Sequence, residues 1–312
     1  MKLPLPKRAL QKVKCRKAAG PDNIPPWMVN NYAHLLAAPV TAIFNSSLRE
    51  GKHPDLWKTA TVVPVPKKHP PGSLENDIRP ISLTPILAKA FEGIVLNWVD
   101  DVITPQIDER QFGGLAGTGT TDALVEMFHS WCEATDKPDS FVRVLLVDYS
   151  KAFDHINHEL LITKLCDMGL PPHLVRWMAA FLIDRQQSVK IGDTVSNIGY
   201  PNGGVPRGTL SGPKNFLVQI NDLQTPCPIF KYVDDSTVFD VCNNTSVPML
   251  QESADVITDW SRRNDMRINA RKTKEMIICF CRNDNHVASI PRIVLDDNVI
   301  ERVTQAKVLG VT

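Results

Sequence analysis

The sequence predicts an α+β fold built around an antiparallel sheet, and three patterns carry this prediction. Val142–Val147 is apolar at every position except Arg143, typical of a strand that is buried on both faces. Ile229–Val233 and Thr237–Val241 are rich in β-branched and aromatic residues and are typical of the two strands of a hairpin. The segments between these strands have the length and apolar spacing of helices.

Upstream of Val142, the pattern favours helices and an edge strand. Helices are predicted over residues 26–38, 39–49, 86–102 and 122–134. Leu56–Lys68 alternates like a strand, and the prolines near its end predict an edge position. Gln111–Asp122 is a glycine-rich loop whose backbone could approach a phosphate, although no P-loop lysine follows it.

Downstream of Val147, helices and short strands alternate again. Helices are predicted over residues 158–169, 173–184 and 247–264, and a strand over 277–280. Two short strands flank Gly192-Asp193 in a predicted hairpin. Gly203–Pro213 is a glycine-rich turn that leads into a helix through Leu223.

Acidic residues stand at the ends of the predicted strands. Asp148 follows Val147, and Asp234-Asp235 fills the turn of the hairpin, where aspartate is favoured and where a solvated tip is one interpretation. If the strands are neighbours in one sheet, Asp148 and Asp234 lie side by side at one edge. Carboxylates there could hold a pair of Mg²⁺ ions, and such a pair stabilises the attacking and leaving oxygens of a phosphoryl displacement.

Composition bounds the location and partners of the chain. The net charge of +1 does not itself indicate a nucleic-acid binder, but residues 2–17 carry seven basic and no acidic side chains. This stretch fits a solvated basic helix, an arm against a phosphate backbone, or a transit peptide, although it lacks serine. Seven cysteines without zinc spacing favour reduced thiols, and no apolar run reaches 18 residues. We therefore expect an intracellular protein, nuclear or cytoplasmic, without a membrane partner.

Two of these segments resemble a known family. Val147–Asp154 (VDYSKAFD) and Tyr232–Asp235 (YVDD) resemble the first and third palm motifs of reverse transcriptases, most closely those of LINE-type (non-LTR) retrotransposons. The resemblance runs from about Lys17 to the end of the chain. It implies a right-hand polymerase fold with an antiparallel palm sheet and helices packed on one face. It also implies an RNA template, a DNA primer and deoxynucleoside triphosphates as partners, with the oligomeric state left open.

The resemblance implies a set of catalytic residues. Asp148, Asp234 and Asp235 would surround two Mg²⁺ ions, for which Mn²⁺ could substitute. Lys272 stands where the family's fourth motif has a lysine, and it would protonate the departing pyrophosphate. Without the resemblance, Lys272 is a surface lysine in a turn.

The resemblance also implies a set of substrate-binding residues. Lys67 and Arg79 match finger positions that hold the triphosphate, although on the residues alone they are exposed basic side chains beside a proline-rich loop. Phe153 matches the aromatic residue that excludes a ribose 2′-hydroxyl, although alone it reads as a core residue. Tyr149, in the same motif, is assigned to the same site.

Further matches concern the template and the primer. Gly203–Pro213 resembles the second palm motif, which lies under the templating base. The family usually has glutamine before the glycine that matches Gly208, but here that residue is Arg207, which puts template positioning or activity in question. Tyr232 and Val233 are expected to contact the primer end, and Leu309 and Gly310 belong to a segment that matches the primer-grip hairpin.

The domain organisation expected from the resemblance follows the chain. A basic helical extension over 1–55 precedes the first fingers segment (56–122), a first palm segment (123–157), a second fingers segment (158–202), and a palm segment (203–312) that ends in the primer-grip hairpin. The family's thumb would follow that hairpin, so a fragment with weak, distributive and salt-sensitive polymerisation is expected.

Three functions are compatible with these residues. The first is RNA-directed DNA polymerisation, a nucleotidyl transfer by a retrotransposon reverse transcriptase. The second is an inactive, nucleic-acid-binding remnant of such a domain, an interpretation that Arg207 favours and the three intact aspartates oppose. The third is another palm-type nucleotidyl transferase, such as a nucleotide cyclase, which would not need the template-loop and primer-grip motifs.

Overall fold

The computed structural model describes residues 6–73, 77–243, 248–280 and 289–311. Its helices are α1 Lys7–Gln11, α2 Pro26–Asn31, α3 Ala33–Glu50, α4 Asp55–Lys58, α5 Ile86–Ile103, α6 Thr120–Thr135, α7 His158–Asp167, α8 Pro172–Leu182, α9 Ser211–Ile220 and α10 Leu250–Arg263. Its strands are β1 Thr59–Pro66, β2 Ile78–Leu83, β3 Ser140–Val147, β4 Gln186–Ile191, β5 Thr194–Val195, β6 Ile229–Tyr232, β7 Asp235–Asn243, β8 Lys274–Cys279, β9 Val294–Leu295, β10 Asn298–Val299 and β11 Glu301–Val303.

Two compact units divide the chain, the first formed by residues 1–106 and 157–215 and the second by 107–156 and 216–312. The first unit contains a four-stranded sheet in the order β2-β1-β4-β5. In it, β1 pairs antiparallel with β2 and parallel with β4, so the predicted edge position of this strand is wrong. Its prolines are tolerated because only residues 59–62 pair with β4, and Pro64 and Pro66 lie beyond them. The first break between the two units falls after residue 106. The boundaries of the fingers and palm segments stay a prediction.

The second unit is organised on a five-stranded sheet in the order β11-β8-β3-β7-β6. All its pairings are antiparallel except that of β11 with β8. β3 lies in the middle, and seven of its eight residues are buried. The predicted mixed α and β composition with antiparallel-dominated sheets is therefore confirmed.

Helices cover both faces of this sheet, which corrects the expectation of helices on one face. Val142 and Val144 pack against Met127 and Trp131 of α6. Arg143 alternates to the opposite face, where Asp240 is its cross-strand neighbour and accepts hydrogen bonds from the first amides of α10, at Met249 and Leu250. A central strand that is mostly apolar needs cover on both sides, as the pattern at 142–147 indicates.

Two helix boundaries differ from the sequence prediction. The predicted break at Pro39 does not occur, because α3 runs through it from Ala33 to Glu50 and buries Ala37, Val40 and Phe44 on one stripe. Packing of that stripe outweighs the one backbone hydrogen bond that a proline removes. Leu56–Lys58, predicted as the start of a strand, belongs to the single-turn helix α4. Val247, the predicted start of α10, lies outside the described residues.

The first unit has an aromatic core that encloses one histidine. His53 is 3% exposed, and its ring meets Trp57, Trp177 and Phe181 edge-on. Neither of its ring nitrogens has a hydrogen-bond partner among the described residues. Burial, together with the nearby charges of Arg185 and Lys58, lowers the pKa of His53 to about 3.

We expect His53 to make the stability of the protein fall as the solution is acidified. The unfolded chain binds a proton at this position below its ordinary pKa of 6.5, whereas the folded protein resists protonation down to about pH 3. The free energy of unfolding therefore falls by about 1.4 kcal/mol per pH unit within that window. Between pH 7 and pH 5 the loss from His53 is about 2 kcal/mol.

Urea unfolding at pH 7 and pH 5 measures this loss, and His53→Phe is the matched variant that keeps an aromatic ring. The variant should lack about 2 kcal/mol of the pH-dependent loss, whatever its stability at pH 7. Equal losses in both proteins would contradict the assignment to His53.

Candidate active site

The register of the five-stranded sheet brings Asp148 and Asp235 to the same edge. β3 and β7 pair antiparallel as far as Val147 and Ser236. One step further in that register, Asp148, which follows β3, faces Asp235, the first residue of β7. Opposed residues of an antiparallel pair have Cβ atoms about 4.5–5.5 Å apart. The two carboxylates are therefore close neighbours, although 87 positions separate them in the chain (235 − 148 = 87).

The hairpin between β6 and β7 is tighter than the sequence predicted. Tyr232 pairs with Asp235, so that the turn has only two central residues, Val233 and Asp234. Asp235 therefore begins β7 and does not lie in the turn. Val233 has a φ of +57°, as the first central residue of a two-residue hairpin turn requires. Since this conformation is rare for a β-branched residue and costs on the order of 1–3 kcal/mol, neighbouring contacts must hold it.

The electrostatics of this edge disfavour the simultaneous ionisation of its carboxyl groups. Partial burial raises the pKa of Asp235 to about 6, and the negative charges of Asp234 and Asp148 add to the effect. Part of the Asp235 side chain is exposed to solvent, which screens this repulsion. A cation at this edge would remove the repulsion and favour the ionised form.

Main-chain hydrogen bonds fix the position of Asp148. Its N–H donates to Thr273 Oγ1 at 3.2 Å, and its carbonyl accepts from the Asn269 N–H at 2.8 Å. Thr273 is fully buried. The backbone of residues 267–273 thus runs beside Asp148 and holds it in place whatever the side chain of Asp148 does.

Lys272 lies next to Asp148, as the resemblance implied. Its Nζ is 4.0 Å from Asp148 Oδ2, and its side chain is 61% exposed. Sequence reasoning singled out Lys272 but missed Thr273 beside it, because a single buried threonine carries no pattern. Only the pairing of residues 267–273 with residues 148–150 reveals its role.

The residues at this edge fit a divalent cation by their chemistry. Carboxylate oxygens are the protein ligands that Mg²⁺ prefers, and Mg²⁺ retains water and phosphate oxygens as further ligands. Within the described ranges, no group of three or more His, Cys, Asp or Glu side chains is placed so that it could hold a metal ion. The edge therefore offers converging carboxylates and not a complete protein cage.

Tyr149 and Phe153, both expected at the substrate, have different surroundings. The Tyr149 side chain is 5% exposed and packs edge-on against Trp260 of α10, with ring centroids 6.3 Å apart. The ring of Tyr149 is thus held by protein contacts, and its assignment to the substrate site stays a prediction. Phe153 stacks on Phe216 at 4.9 Å and is half-buried, so one part of its ring is held by the core while another part is accessible.

The predicted primer-grip segment forms a tight turn in the second unit. The main chains of Val308 and Val311 exchange two hydrogen bonds, at 2.7 and 2.9 Å. Leu309 and Gly310 between them both have positive φ. Val308 is buried in the core beneath α6, and Leu309 lines a small cavity together with Tyr232 and Asp235.

Lys67 and Arg79 lie on one face of the β1–β2 hairpin in the first unit. Arg79 pairs with Val65, and the Lys67 N–H continues the ladder by donating to the Asp77 carbonyl at 2.7 Å. Since residues two apart on a strand share a face, Lys67 and Arg79 share the face of Val65. Both residues are exposed.

A family model for reverse transcriptase (RNA-dependent DNA polymerase) matches residues 65–312. The chain belongs to the reverse transcriptase family. Enzymes of this family generally use divalent metal ions, in keeping with the converging carboxylates. None of the described helices is long and apolar enough to cross a membrane.

Curated relatives of this reverse transcriptase domain come from mobile elements. It is 27% identical over 97% of its length to the probable RNA-directed DNA polymerase from transposon BS of Drosophila melanogaster. It is 28% identical over 100% of its length to the RNA-directed DNA polymerase from mobile element jockey of the same organism. A polyprotein from the type-1 retrotransposable element R1 of Bradysia coprophila is 25% identical over 97%. The resemblance to the non-LTR branch is thus confirmed.

The reverse transcriptase domain spans 34% and 36% of the length of the BS and jockey proteins and 30% of the R1 polyprotein. These relatives are thus about three times as long as the chain.

Arg207, the residue that departs from the usual motif, and its neighbour Gly208 contact β2. The Arg207 carbonyl accepts from the Ser82 N–H at 2.7 Å. Gly208 has a φ of +106°, and a Cβ there would lie 3.0 Å from the Ser82 carbonyl oxygen. The backbone conformation at residue 208 thus requires glycine. Residue 207 contacts β2 only through its main-chain carbonyl in this hydrogen bond, which any side chain at that position would allow.

The glycine-rich loop of the reverse transcriptase has a role that sequence reasoning missed. The loop was expected to approach a template phosphate. That expectation stays a prediction. A Cβ on Gly113 would lie 2.6 Å from the Val233 nitrogen, so the glycine allows the loop to pack on the acidic hairpin. The neighbouring Gln111 accepts a hydrogen bond from the Val233 N–H at 3.1 Å. The sequence signal for this contact is a glutamine shortly before two glycines, and this pattern does not identify Val233 as the residue that they contact.

Proposed function

We propose that the chain is an RNA-directed DNA polymerase domain that adds deoxynucleotides to the 3′ end of a primer on an RNA template. The observation that carries this proposal is the meeting of Asp148 and Asp235 at one sheet edge, within a chain that the reverse transcriptase model matches over residues 65–312. In the right-hand description of such enzymes, the second unit would be the palm and the first unit the fingers.

Asp148, Asp234 and Asp235 are the residues that would hold two Mg²⁺ ions. When bound, the ions would supply charge stabilisation to the attacking and leaving oxygens. The backbone around these carboxylates is fixed by hydrogen bonds. Thr273 and Asn269 bind the main chain of Asp148, and the two-residue turn places Asp234 directly before Asp235 at the start of β7.

The other residues act on the nucleotide, the primer and the product. Lys272, an exposed cation 4.0 Å from Asp148, would donate a proton to the leaving pyrophosphate. Lys67 and Arg79 would bind triphosphate oxygens, and the accessible part of the Phe153 ring would exclude a ribose 2′-hydroxyl. Tyr232, Val233, Leu309 and Gly310 would contact the primer.

A second candidate is a nucleic-acid-binding domain without catalysis. Arg207 supports it, because it replaces a neutral glutamine with a longer, charged side chain in the motif assigned to the template.

Primer extension separates the two candidates. The purified protein is given an RNA template, a DNA primer, the four deoxynucleoside triphosphates and Mg²⁺ or Mn²⁺, with EDTA and Asp234→Asn as controls. Extension that EDTA and the substitution both abolish supports the polymerase. Retained template binding without extension under either metal rejects the polymerase and supports the binding domain.

A further inference from the structure

Gln111 makes a buried contact with the turn that carries Asp234. The residue is 2% exposed, and its Oε1 accepts hydrogen bonds from two main-chain donors, the Gly113 N–H at 3.0 Å and the Val233 N–H at 3.1 Å. Val233 directly precedes Asp234 and is the turn residue with positive φ. One side-chain oxygen therefore ties the turn to the loop beside it.

The loop that carries Gln111 is itself fixed to β6. The Lys231 N–H donates to the Arg110 carbonyl at 2.8 Å, and the Phe112 N–H donates to the Lys231 carbonyl at 2.9 Å. Residues 110–112 thus lie parallel along the outer edge of β6. Because these bonds involve main chain alone, the loop is held in place independently of the Gln111 side chain.

A buried ion pair anchors β6 close to the end that leads into the turn. Lys231 Nζ lies 2.8 Å from Asp108 Oδ2 and donates to the carbonyl oxygens of Ile220 and Asn221 at 3.3 and 3.2 Å. The strand below the turn is therefore rigid. The conformation of the turn itself depends on the hydrogen-bond acceptors that its main-chain N–H groups find.

The central amides of a two-residue hairpin turn point away from the ladder and have no partner in it. In this turn Gln111 supplies the acceptor for the Val233 amide, and the missing Cβ of Gly113 lets the loop come close enough. This hydrogen bond therefore favours the unusual φ of Val233.

We propose that Gln111 is a positioning residue for catalysis, which holds the Val233–Asp235 turn in the conformation that aligns Asp234 and Asp235. This inference rests on the proposed polymerase function. Gln111 touches neither substrate nor metal and acts only through the main chain of Val233. A misplacement of about 1 Å in a catalytic group can lower turnover by about 100-fold, so the loss of this contact should reduce kcat and leave nucleotide binding unchanged.

The test compares Gln111→Met with a matched control, Gln219→Met. Methionine keeps the length of glutamine and removes the acceptor. Gln219 is also fully buried in the second unit, and its amide donates to Asn264 Oδ1 at 3.2 Å, away from the turn. Two readouts are taken: kcat and nucleotide KM in primer extension, and amide hydrogen exchange of the peptide over residues 229–236.

We expect Gln111→Met to lower kcat by about 10-fold to 100-fold relative to Gln219→Met, with an unchanged KM and faster exchange in that peptide. Equal kcat values in the two variants, a change in KM alone, or unchanged exchange would overturn the inference. Should Gln111→Met fail to fold, Gln111→Asn, which withdraws the acceptor by one methylene, is compared with Gln219→Asn by the same criteria.

The two readouts separate this inference from the proposed function. Hydrogen exchange reports on the turn whether or not the protein polymerises. If the wild-type protein shows no metal-dependent extension, the polymerase function fails, and with it any catalytic role of Gln111. If wild-type extension is robust but exchange and kcat are insensitive to Gln111, only the positioning role fails.

Discussion

Replacement of Asp235 with asparagine is expected to reduce primer extension by at least about 1,000-fold, equivalent to about 4 kcal/mol of transition-state stabilisation. Asp235 faces Asp148 across the sheet edge and is the first residue of β7, so no neighbouring carboxylate can take its place without a change of register. Thermal stabilisation by Mg²⁺ should disappear in the same variant, because the amide is a poorer ligand for a hard cation.

The same substitution should raise the Tm of the metal-free protein, and only above pH 4. Burial and the neighbouring aspartates raise the pKa of Asp235 from 3.8 to about 6. Between these values the unfolded chain releases the proton and the folded protein keeps it, so the wild-type protein is progressively destabilised as the pH rises, up to about pH 6. Asparagine removes this penalty, although solvent screening keeps its size small.

Thermal unfolding with and without Mg²⁺ at pH 4 and pH 7, alongside extension assays, measures these effects. Asp136→Asn is the matched control, since Asp136 is an exposed acid of the same unit just beyond the C-terminal end of α6. A variant at 235 that polymerises at the control rate would refute the proposed role of this carboxylate.

Glu275→Leu is expected to destabilise the protein by about 3–5 kcal/mol, the usual cost of removing one member of a buried ion pair. Glu275 is fully buried on β8, and its Oε1 lies 2.6 Å from Arg143 NH2 of β3. Its Oε2 lies 3.0 Å from Arg302 NH2 of β11. Leucine would leave two guanidinium groups facing an apolar side chain in the middle of the sheet.

Urea unfolding of the single variant and of the double variant Arg143→Leu/Glu275→Leu tests this assignment. The double variant should recover part of the loss, because it removes the more deeply buried arginine, and Arg302 retains some exposure to solvent. A loss below about 1 kcal/mol in the single variant would show that the network behaves like a surface pair.

The sequence was most informative where local pattern and topology coincide. The acids at 148 and at 234–235 follow or join apolar strands, and this pattern predicted that they meet at one edge of the sheet. The prediction was possible because two neighbouring apolar strands can pair in only a few registers. The tightness of the turn at Val233 was not visible, since the favoured turn residues are glycine and asparagine and valine gives no such signal. Tyr149 looked like part of a functional motif, yet tertiary packing buries its ring against α10.

Other features lay beyond any pattern in one sequence. Gln111 and Thr273 matter through single hydrogen bonds to backbone distant in the chain. Such contacts have no periodicity and no characteristic spacing. The helix that continues through Pro39 shows that a local sequence signal can also mislead. The proline predicted a helix end, but burial of the apolar stripe of α3 stabilises the continuous helix.

Asp148 is held through its own peptide groups, and this has a practical consequence. Its side chain can be exchanged without loosening the frame around it, since Thr273 and Asn269 bind only the N–H and the carbonyl. An Asp148→Asn variant that lacks polymerase activity should therefore keep the native fold. Such a variant would be suitable for binding template–primer duplexes in solution without extending the primer.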